Sequence, residues 1–139
     1  MLNLISRPAL TIAIAEQISY AARNEAQRNG WNVSISVVDE GGHPLVLLRM
    51  DGCAPVGAYI SAEKARSAAI GRRETKGYED MINNGRTAFL AVAELSRGLL
   101  EGGIPIVVEG HCVGAIGVSG VKSEQDAQIA RAGLAALFA

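Results

Sequence analysis

Two β-hairpin patterns restrict the fold of this chain more than any other feature of its sequence. In the first, apolar and polar residues alternate, which predicts a strand with one buried and one polar face. The turn sequence Asp39-Glu40-Gly41-Gly42 joins it to a second, apolar strand. In the other hairpin, two apolar strands flank the turn Glu109-Gly110-His111. The four predicted strands cover residues 32–37, 45–50, 104–108 and 112–118.

Helical periodicity fills most of the remaining chain. Pro8 suits the first turn of a helix, and Asn29-Gly30 suits its end because glycine adopts the left-handed conformation most cheaply. Ser123 stands three residues before Asp126, which approximates a capping box. The predicted helices share an apolar repeat of three to four residues and cover 8–29, 58–73, a short segment within 78–83, and 123–138. The order helix, hairpin, helices, hairpin, helix predicts an α+β fold with an antiparallel sheet, in a single domain spanning residues 1–139.

The composition limits the partners of the chain. Hydrophobic residues make up 49% of it but aromatic residues only 4%, so the core consists of small aliphatic side chains that each bury little area. We therefore expect a homo-oligomer that completes this burial. A net charge of −1 provides no general attraction to nucleic acid or to an anionic membrane, and no apolar run approaches the roughly 18 residues of a membrane span. The first 17 residues fit a helix better than a secretory signal, which favours a cytoplasmic protein.

The segment 102–120 contains six glycines among nineteen residues and raises the question of a phosphate loop. Gly114, Gly117 and Gly120 are three residues apart, and the first two fall within a predicted strand, which fits neither a dinucleotide-binding turn nor a P-loop. Glycine inside a strand usually marks a bulge, a bend or a close approach of another element. Only the Gly102-Gly103 turn is expected to let backbone approach a ligand.

Ser61 and Lys64 form an S-x-x-K pattern, which occurs as a nucleophile–base pair in penicillin-binding enzymes. The partner motifs of those enzymes are absent from this chain. A Lys64 ammonium directed into a pocket, where it neutralises an acid group of a ligand, is the more credible function. A solvated surface lysine is the alternative.

The two histidines, His43 and His111, both lie in or next to predicted hairpin turns. A metal site held by protein alone needs several converging ligands, and His111 beside Cys112 cannot direct both side chains at one atom in an extended strand. Haem needs only one or two axial ligands and an apolar wall, so it demands less of the chain. The sequence Arg49-Met50-Asp51 at the end of a strand is either a surface ion pair or the rim of a pocket.

Three blocks of sequence, at 37–52, 61–69 and 102–134, together resemble the GlcG/HbpS-like proteins. This group is also called the haem-degrading domain family and includes the C-terminal domain of PduO-type cobalamin adenosyltransferases. The resemblance implies a profilin-like fold, with a central antiparallel sheet flanked by helices, that assembles into dimers and often octamers. It also implies haem or iron binding in some members and, in others, a role beside glycolate or diol and glycerol metabolism. It assigns no axial ligand to a numbered residue of this chain.

The hypothesis that combines these observations is a homo-oligomeric binding module for haem, another tetrapyrrole or a small anionic molecule. Arg49, Met50 and Asp51 form the rim of its pocket, Lys64 neutralises an acid group, and Gly102-Gly103 brings backbone close. His43 and His111 are the candidate axial ligands. No nucleophile–base–orienter set is evident, so catalysis has no signature here. The alternatives are an enzyme that degrades haem or acts on a small hydroxy or oxo compound, and a structural partner of a metabolic complex.

Overall fold

A computed structural model of the chain describes residues 1–138, and its elements follow the predicted order. The helices are α1 (Ile12–Arg28), α2 (Val56–Gly71), α3 (Thr75–Asn83) and α4 (Ser123–Ala135), with a short 3₁₀ helix at Thr87–Ala91. The strands are β1 (Ser34–Asp39), β2 (Pro44–Arg49), β3 (Gly103–Val108) and β4 (His111–Ser119). They form one antiparallel sheet in the order β2-β1-β4-β3. The predicted α+β class and the two hairpins are therefore confirmed.

One predicted helix start and one predicted helix cap are wrong in detail. Helix α1 begins after Thr11 and not at Pro8, because the Thr11 hydroxyl accepts a hydrogen bond from the Ile14 N–H at 3.2 Å. At the start of α4, the Gln125 side chain accepts from the Lys122 N–H at 3.3 Å, so the predicted capping box of Ser123 and Asp126 does not form. This helix ends at Ala135, three residues before the predicted end.

Helices cover both faces of the sheet. The larger apolar cluster joins β-strand side chains to α1 and α4, and a second cluster of small residues joins the other face to α2. Ser34 and Ser36 were predicted on a polar face of β1, but both are buried. The Ser36 hydroxyl bonds to the Ser61 hydroxyl of α2 at 2.9 Å, which satisfies both polar groups without water. The prediction that only one face of this strand is buried is therefore wrong, because α2 packs on the polar face.

Gly114 and Gly117 allow backbone to pack directly on β4, as the sequence predicted. A Cβ atom on Gly117 would overlap the Ser61 carbonyl oxygen and lie 2.5 Å from the Ala65 amide nitrogen, so α2 rests on this glycine. A Cβ atom on Gly114 would overlap the carbonyl oxygen of Val38 in the neighbouring strand. The β3–β4 ladder is also irregular between Ile106 and Val107, opposite this part of β4.

No helix within residues 1–138 has both the length and the apolar character that crossing a lipid bilayer requires.

Candidate functional site

The two histidines lie at one end of the sheet. Because β1 and β4 are antiparallel neighbours, with Asp39 opposite Gly114, the turns before β2 and before β4 are at the same end. The imidazole Nδ1 of His43 is 3.0 Å from the Asp39 carboxylate. His111 lines a separate cavity of about 180 Å³ with Arg7, Arg72 and Cys112, among other residues. In the described part of the chain, no group of three His, Cys, Asp or Glu side chains is arranged to hold a metal ion.

The Asp39 carboxylate organises the turn that carries His43. It accepts hydrogen bonds from the backbone N–H groups of Gly41 and His43, at 2.9 and 3.0 Å. Partial burial opposes ionisation of this carboxyl, but the hydrogen bonds outweigh it and lower the pKa of Asp39. The turn is therefore a locally satisfied structure in which the His43 ring already has an acidic partner.

The predicted rim residues Arg49, Met50 and Asp51 lie together at the opposite end of the sheet. Arg49 is six positions after His43 along extended chain, which is about 20 Å. They line a cleft of about 480 Å³ between the end of β2 and the end of α1. The other residues lining this cleft are Arg23, Gln27, Gly30, Trp31, Asn32 and Leu48. The structure thus brings the rim residues together and separates them from both histidines.

The cleft combines an apolar wall with an incompletely satisfied cation. Trp31, Leu48 and Met50 pack against the main core with part of each side chain exposed. The Nε atom of Arg23 is buried and has no hydrogen-bond partner within residues 1–138, while its guanidinium carbon lies 5.1 Å from the centre of the Tyr20 ring. A buried donor without a partner is costly, and the same arginine lines the cleft.

The charge balance of the cleft is mildly positive. None of the ion pairs formed within residues 1–138 involves Arg23, Arg49 or Asp51. Two arginines therefore face one free acid, together with the end of α1, whose dipole contributes roughly half a negative charge. Such a surface suits a ligand that carries acidic substituents.

Lys64 lies in the interior, away from the cleft. Its ammonium is 3.0 Å from the Asp126 carboxylate and 2.9 Å from the Val118 carbonyl oxygen, and both charged side chains are 2% exposed. Burial raises the pKa of Asp126, and the attraction to Lys64 offsets only part of that increase. The Lys64 ammonium thus has an internal acid as its partner, and Ser61 bonds to Ser36 and to the Ala58 carbonyl instead of to Lys64.

Gly102 and Gly103 accompany Lys64 and not the rim residues. A Cβ atom on Gly102 would lie 2.9 Å from the Lys64 ammonium nitrogen, and one on Gly103 would overlap the Lys64 carbonyl oxygen. The absent side chains therefore make room for Lys64 to reach α4. The six residues predicted to bind ligand divide into a cleft group, Arg49, Met50 and Asp51, and an interior group, Lys64, Gly102 and Gly103.

Sequence reasoning missed Arg23 and Trp31 as cleft residues. Arg23 stands on the polar side of a predicted helix, where nothing distinguishes it from other surface arginines. Trp31 is the only tryptophan of the chain and follows directly on the helix stop at Asn29-Gly30. A large aromatic residue at such a junction was the available signal, because it often packs at the mouth of a pocket.

Comparison with known proteins adds independent findings. A family model described as "Haem degrading protein HbpS-like" matches residues 10–135. Protein GlcG of Escherichia coli (strain K12) is 60% identical over 110 residues, which cover 79% of this chain and 81% of that protein. The crystal structure of a double mutant of Streptomyces reticuli HbpS superposes with a TM-score of 0.88 at 32% identity, over 96% of this chain and 90% of that one. A PduOC:heme complex superposes with a TM-score of 0.85 at 27% identity, over 93% and 95% of the two chains.

Proposed function

This chain is a member of the HbpS-like family of haem-degrading proteins, and from that premise we propose that it binds haem or a related tetrapyrrole in the cleft between α1 and β2. The solved complex of a structural neighbour with haem supports the ligand class. The observation that carries the location is the cleft itself, where an apolar wall adjoins a buried arginine nitrogen without a partner.

Size favours this cleft over the cavity beside His111. Binding sites for ligands of this class occupy about 300–1,000 Å³. The cleft has about 480 Å³, whereas the cavity at the turn end has about 180 Å³. Of these two cavities, the cleft is therefore the better match in size for a tetrapyrrole ring.

The residues of the cleft match the parts of haem. Trp31 and Leu48 would contact the apolar ring, and Arg23 would donate hydrogen bonds to a propionate, with Arg49 and Asp51 at the outer rim. Met50 offers a thioether, which is one of the axial ligands that proteins provide for haem iron. Bound haem would supply redox chemistry at its iron. In this proposal, neither His43 nor His111 contacts a haem that is bound in the cleft of the same subunit.

A haemin titration followed by absorbance tests the proposal. We expect a saturable shift of the Soret band in the wild-type protein and a weaker or displaced band in Met50→Leu. Met81→Leu, a methionine in α3 outside the cleft, is the matched control and should behave as wild type. A wild-type protein that gives no saturable band would contradict haem binding. A band lost in the His43→Ala/His111→Ala variant but retained in Met50→Leu would move the site to the turn end.

Binding and turnover are distinguished by a second measurement on the same complex. We propose a binding module that is auxiliary to diol, glycerol or glycolate metabolism and that works in the cytoplasm. Addition of ascorbate to the haemin complex should leave the Soret band in place. Loss of the band with release of a degradation product would instead indicate an enzyme.

A further inference from the structure

The cavity at the turn end of the sheet combines a thiol with two guanidinium groups. Its volume is about 180 Å³, and it is lined by Arg7, Arg72, Val107, Gly110, His111 and Cys112. No acidic side chain of residues 1–138 is part of this lining. Since a water molecule occupies about 30 Å³ in the liquid, the space holds about six non-hydrogen atoms. We call it the turn-end cavity, and its size and lining suit a small anion placed beside a thiol.

The Cys112 thiol is the nucleophile of the turn-end cavity. Cys112 is the second residue of β4, and its side chain is partly exposed. Its Sγ atom lies 3.4 Å from the Gly114 carbonyl oxygen and 3.8 Å from the Ala69 carbonyl oxygen of α2. A thiol is only a weak hydrogen-bond donor, so these contacts hold the sulfur loosely. A reagent that enters the cavity can therefore reach it.

Cys53, the other cysteine of the chain, is in a different environment. It is buried, and its Sγ atom lies 3.3 Å from the Ser34 hydroxyl and 3.9 Å from the Ser119 carbonyl oxygen. Ser119 follows Cys112 by seven positions along β4, which is about 20 Å of extended chain. A disulfide requires Cα atoms within about 7 Å of each other. Cys53 therefore cannot pair with Cys112 in the folded subunit, and a disulfide partner of Cys112 must come from outside it.

Arg72 is held beside the cavity by its backbone conformation. It follows the last residue of α2 with φ 55° and ψ 40°, in the left-handed region that glycine or asparagine usually occupies at a helix end. None of the ion pairs formed within residues 1–138 involves Arg72. Its guanidinium is thus placed at the cavity without an internal counter-charge.

Arg7 adds a second guanidinium, which Glu40 holds weakly. The two side chains are about half exposed and lie 3.5 Å apart, longer than the roughly 2.7–2.9 Å of a strong charge-assisted hydrogen bond. Surface pairs of this kind contribute little, so Arg7 can exchange Glu40 for an incoming carboxylate. The other negative groups nearby are the exposed Glu109, which does not line the cavity, and the C-terminal end of α2, with roughly half a charge. The unpaired Arg72 outweighs the latter.

We propose that the turn-end cavity is a modification site, in which Cys112 forms a mixed disulfide with a small thiol that carries a carboxylate. The co-reactant is the symmetrical disulfide of that thiol. The Cys112 sulfur, after its proton has passed to solvent, attacks one sulfur of the reagent, whose S–S bond breaks, and the leaving thiolate takes up a proton. One thiol and one disulfide are consumed and one of each is formed, so no further oxidant is needed. Arg72 and Arg7 hold the carboxylate of the attached group.

Mass spectrometry of the protein without haemin tests this site independently of the proposed haem cleft. The reagents are dithiodipropionate, a dianion, and dihydroxyethyl disulfide, which is neutral. Each rate is divided by the rate of a short cysteine peptide with the same reagent. We expect a single adduct, on Cys112 and not on Cys53, with the anionic reagent favoured about tenfold because charges of one sign in a cleft accelerate association. Added salt should reduce this preference.

Arg72→Asn removes the guanidinium and keeps the end of α2, because asparagine also adopts the left-handed conformation. We expect it to lower the normalised rate with dithiodipropionate about threefold or more and to leave the rate with the neutral reagent nearly unchanged. Arg73→Asn is the matched control, since it removes the same charge from the next residue. The Arg73 guanidinium lies over the Tyr78 ring, at 4.8 Å, and does not line the cavity. This variant should behave as wild type.

Three results would overturn the proposal. Equal normalised rates for the two reagents in wild type would show that the cavity does not select an anion. An equal loss of rate in Arg72→Asn and Arg73→Asn would show that only the net charge of the protein matters. A disulfide-linked dimer in place of the adduct would show that the partner of Cys112 is a second copy of this chain.

Discussion

The Lys64 ammonium lies 3.0 Å from the Asp126 carboxylate in the interior of the protein, and the two residues are 62 positions apart in the chain. The pair connects α2 to α4, and the Val118 carbonyl and the Val121 N–H complete its hydrogen bonding. Gly102 leaves the space through which the lysine passes. A buried ion pair of this kind contributes less to stability than its geometry suggests, because removing both charges from water is costly.

Breaking the Lys64–Asp126 pair on one side should cost more than removing both charges. We expect Lys64→Met to lower the free energy of unfolding by about 3–5 kcal/mol at neutral pH, because it leaves Asp126 buried without a counter-charge. The double variant Lys64→Met/Asp126→Leu should be more stable than Lys64→Met. Urea denaturation measures both. Lys76→Met, which removes an exposed lysine paired with Asp80, is the control and should change stability much less. A double variant no more stable than the single one would contradict this account.

The raised pKa of Asp126 predicts a specific pH dependence. Since burial raises this pKa, the folded protein holds the Asp126 proton over a pH range in which the unfolded chain has lost it. The contribution of this group to the unfolding free energy therefore decreases as pH rises from the ordinary aspartate pKa of 3.8 through the folded value, and is constant above it. The unfolding free energy of wild type minus that of Asp126→Asn, measured in urea from pH 4 to pH 8, should fall with pH. A difference that rises with pH would refute the assignment.

Gly117 should tolerate no side chain. A Cβ atom there would meet α2 backbone at Ser61 and Ala65, which cannot yield without moving the helix. We expect Gly117→Ala to lower the free energy of unfolding by about 3 kcal/mol or more. Gly110→Ala is the control: its Cβ atom would meet nothing within 4 Å, so only its positive φ of 78° costs stability, about 1 kcal/mol. Thermal melts that rank the two variants in the opposite order would contradict the close approach of α2.

Haemin affinity should depend on Arg23 through the propionates. Hydrogen bonds to charged groups contribute about 1.5–3 kcal/mol, so Arg23→Gln should weaken haemin binding about tenfold or more. Haemin dimethyl ester, which lacks the negative charges, should bind wild type and Arg23→Gln almost equally. Arg28→Gln provides the control, since Arg28 is on the same helix, pairs with Glu25 and is not part of the cleft. An equal loss of affinity for haemin and its ester in Arg23→Gln would exclude a propionate contact.

The candidate site was only partly evident from sequence, because its two halves have different origins. Arg49, Met50 and Asp51 are consecutive, so their common position at a strand end follows from local pattern alone. Arg23 and Trp31 come from the preceding helix and its exit, and only the packing of α1 beside β2 brings them to the same cleft. The two histidines are the opposite case. Similar turn sequences carry both of them, and the antiparallel pairing of β1 and β4 puts both turns at one end of the sheet, away from the rim residues.

By itself, the sequence determined the order of elements and the pairing of each hairpin, because alternation, helical repeats and turn residues act over a few neighbouring positions. Tertiary structure decided which polar side chains are buried. Ser34 and Ser36 alternate with apolar residues as solvated side chains would, yet α2 covers them. Lys64 has the local pattern of a surface or pocket lysine, yet Asp126 holds it in the core. Burial depends on elements distant in the chain, and no short-range pattern records their approach.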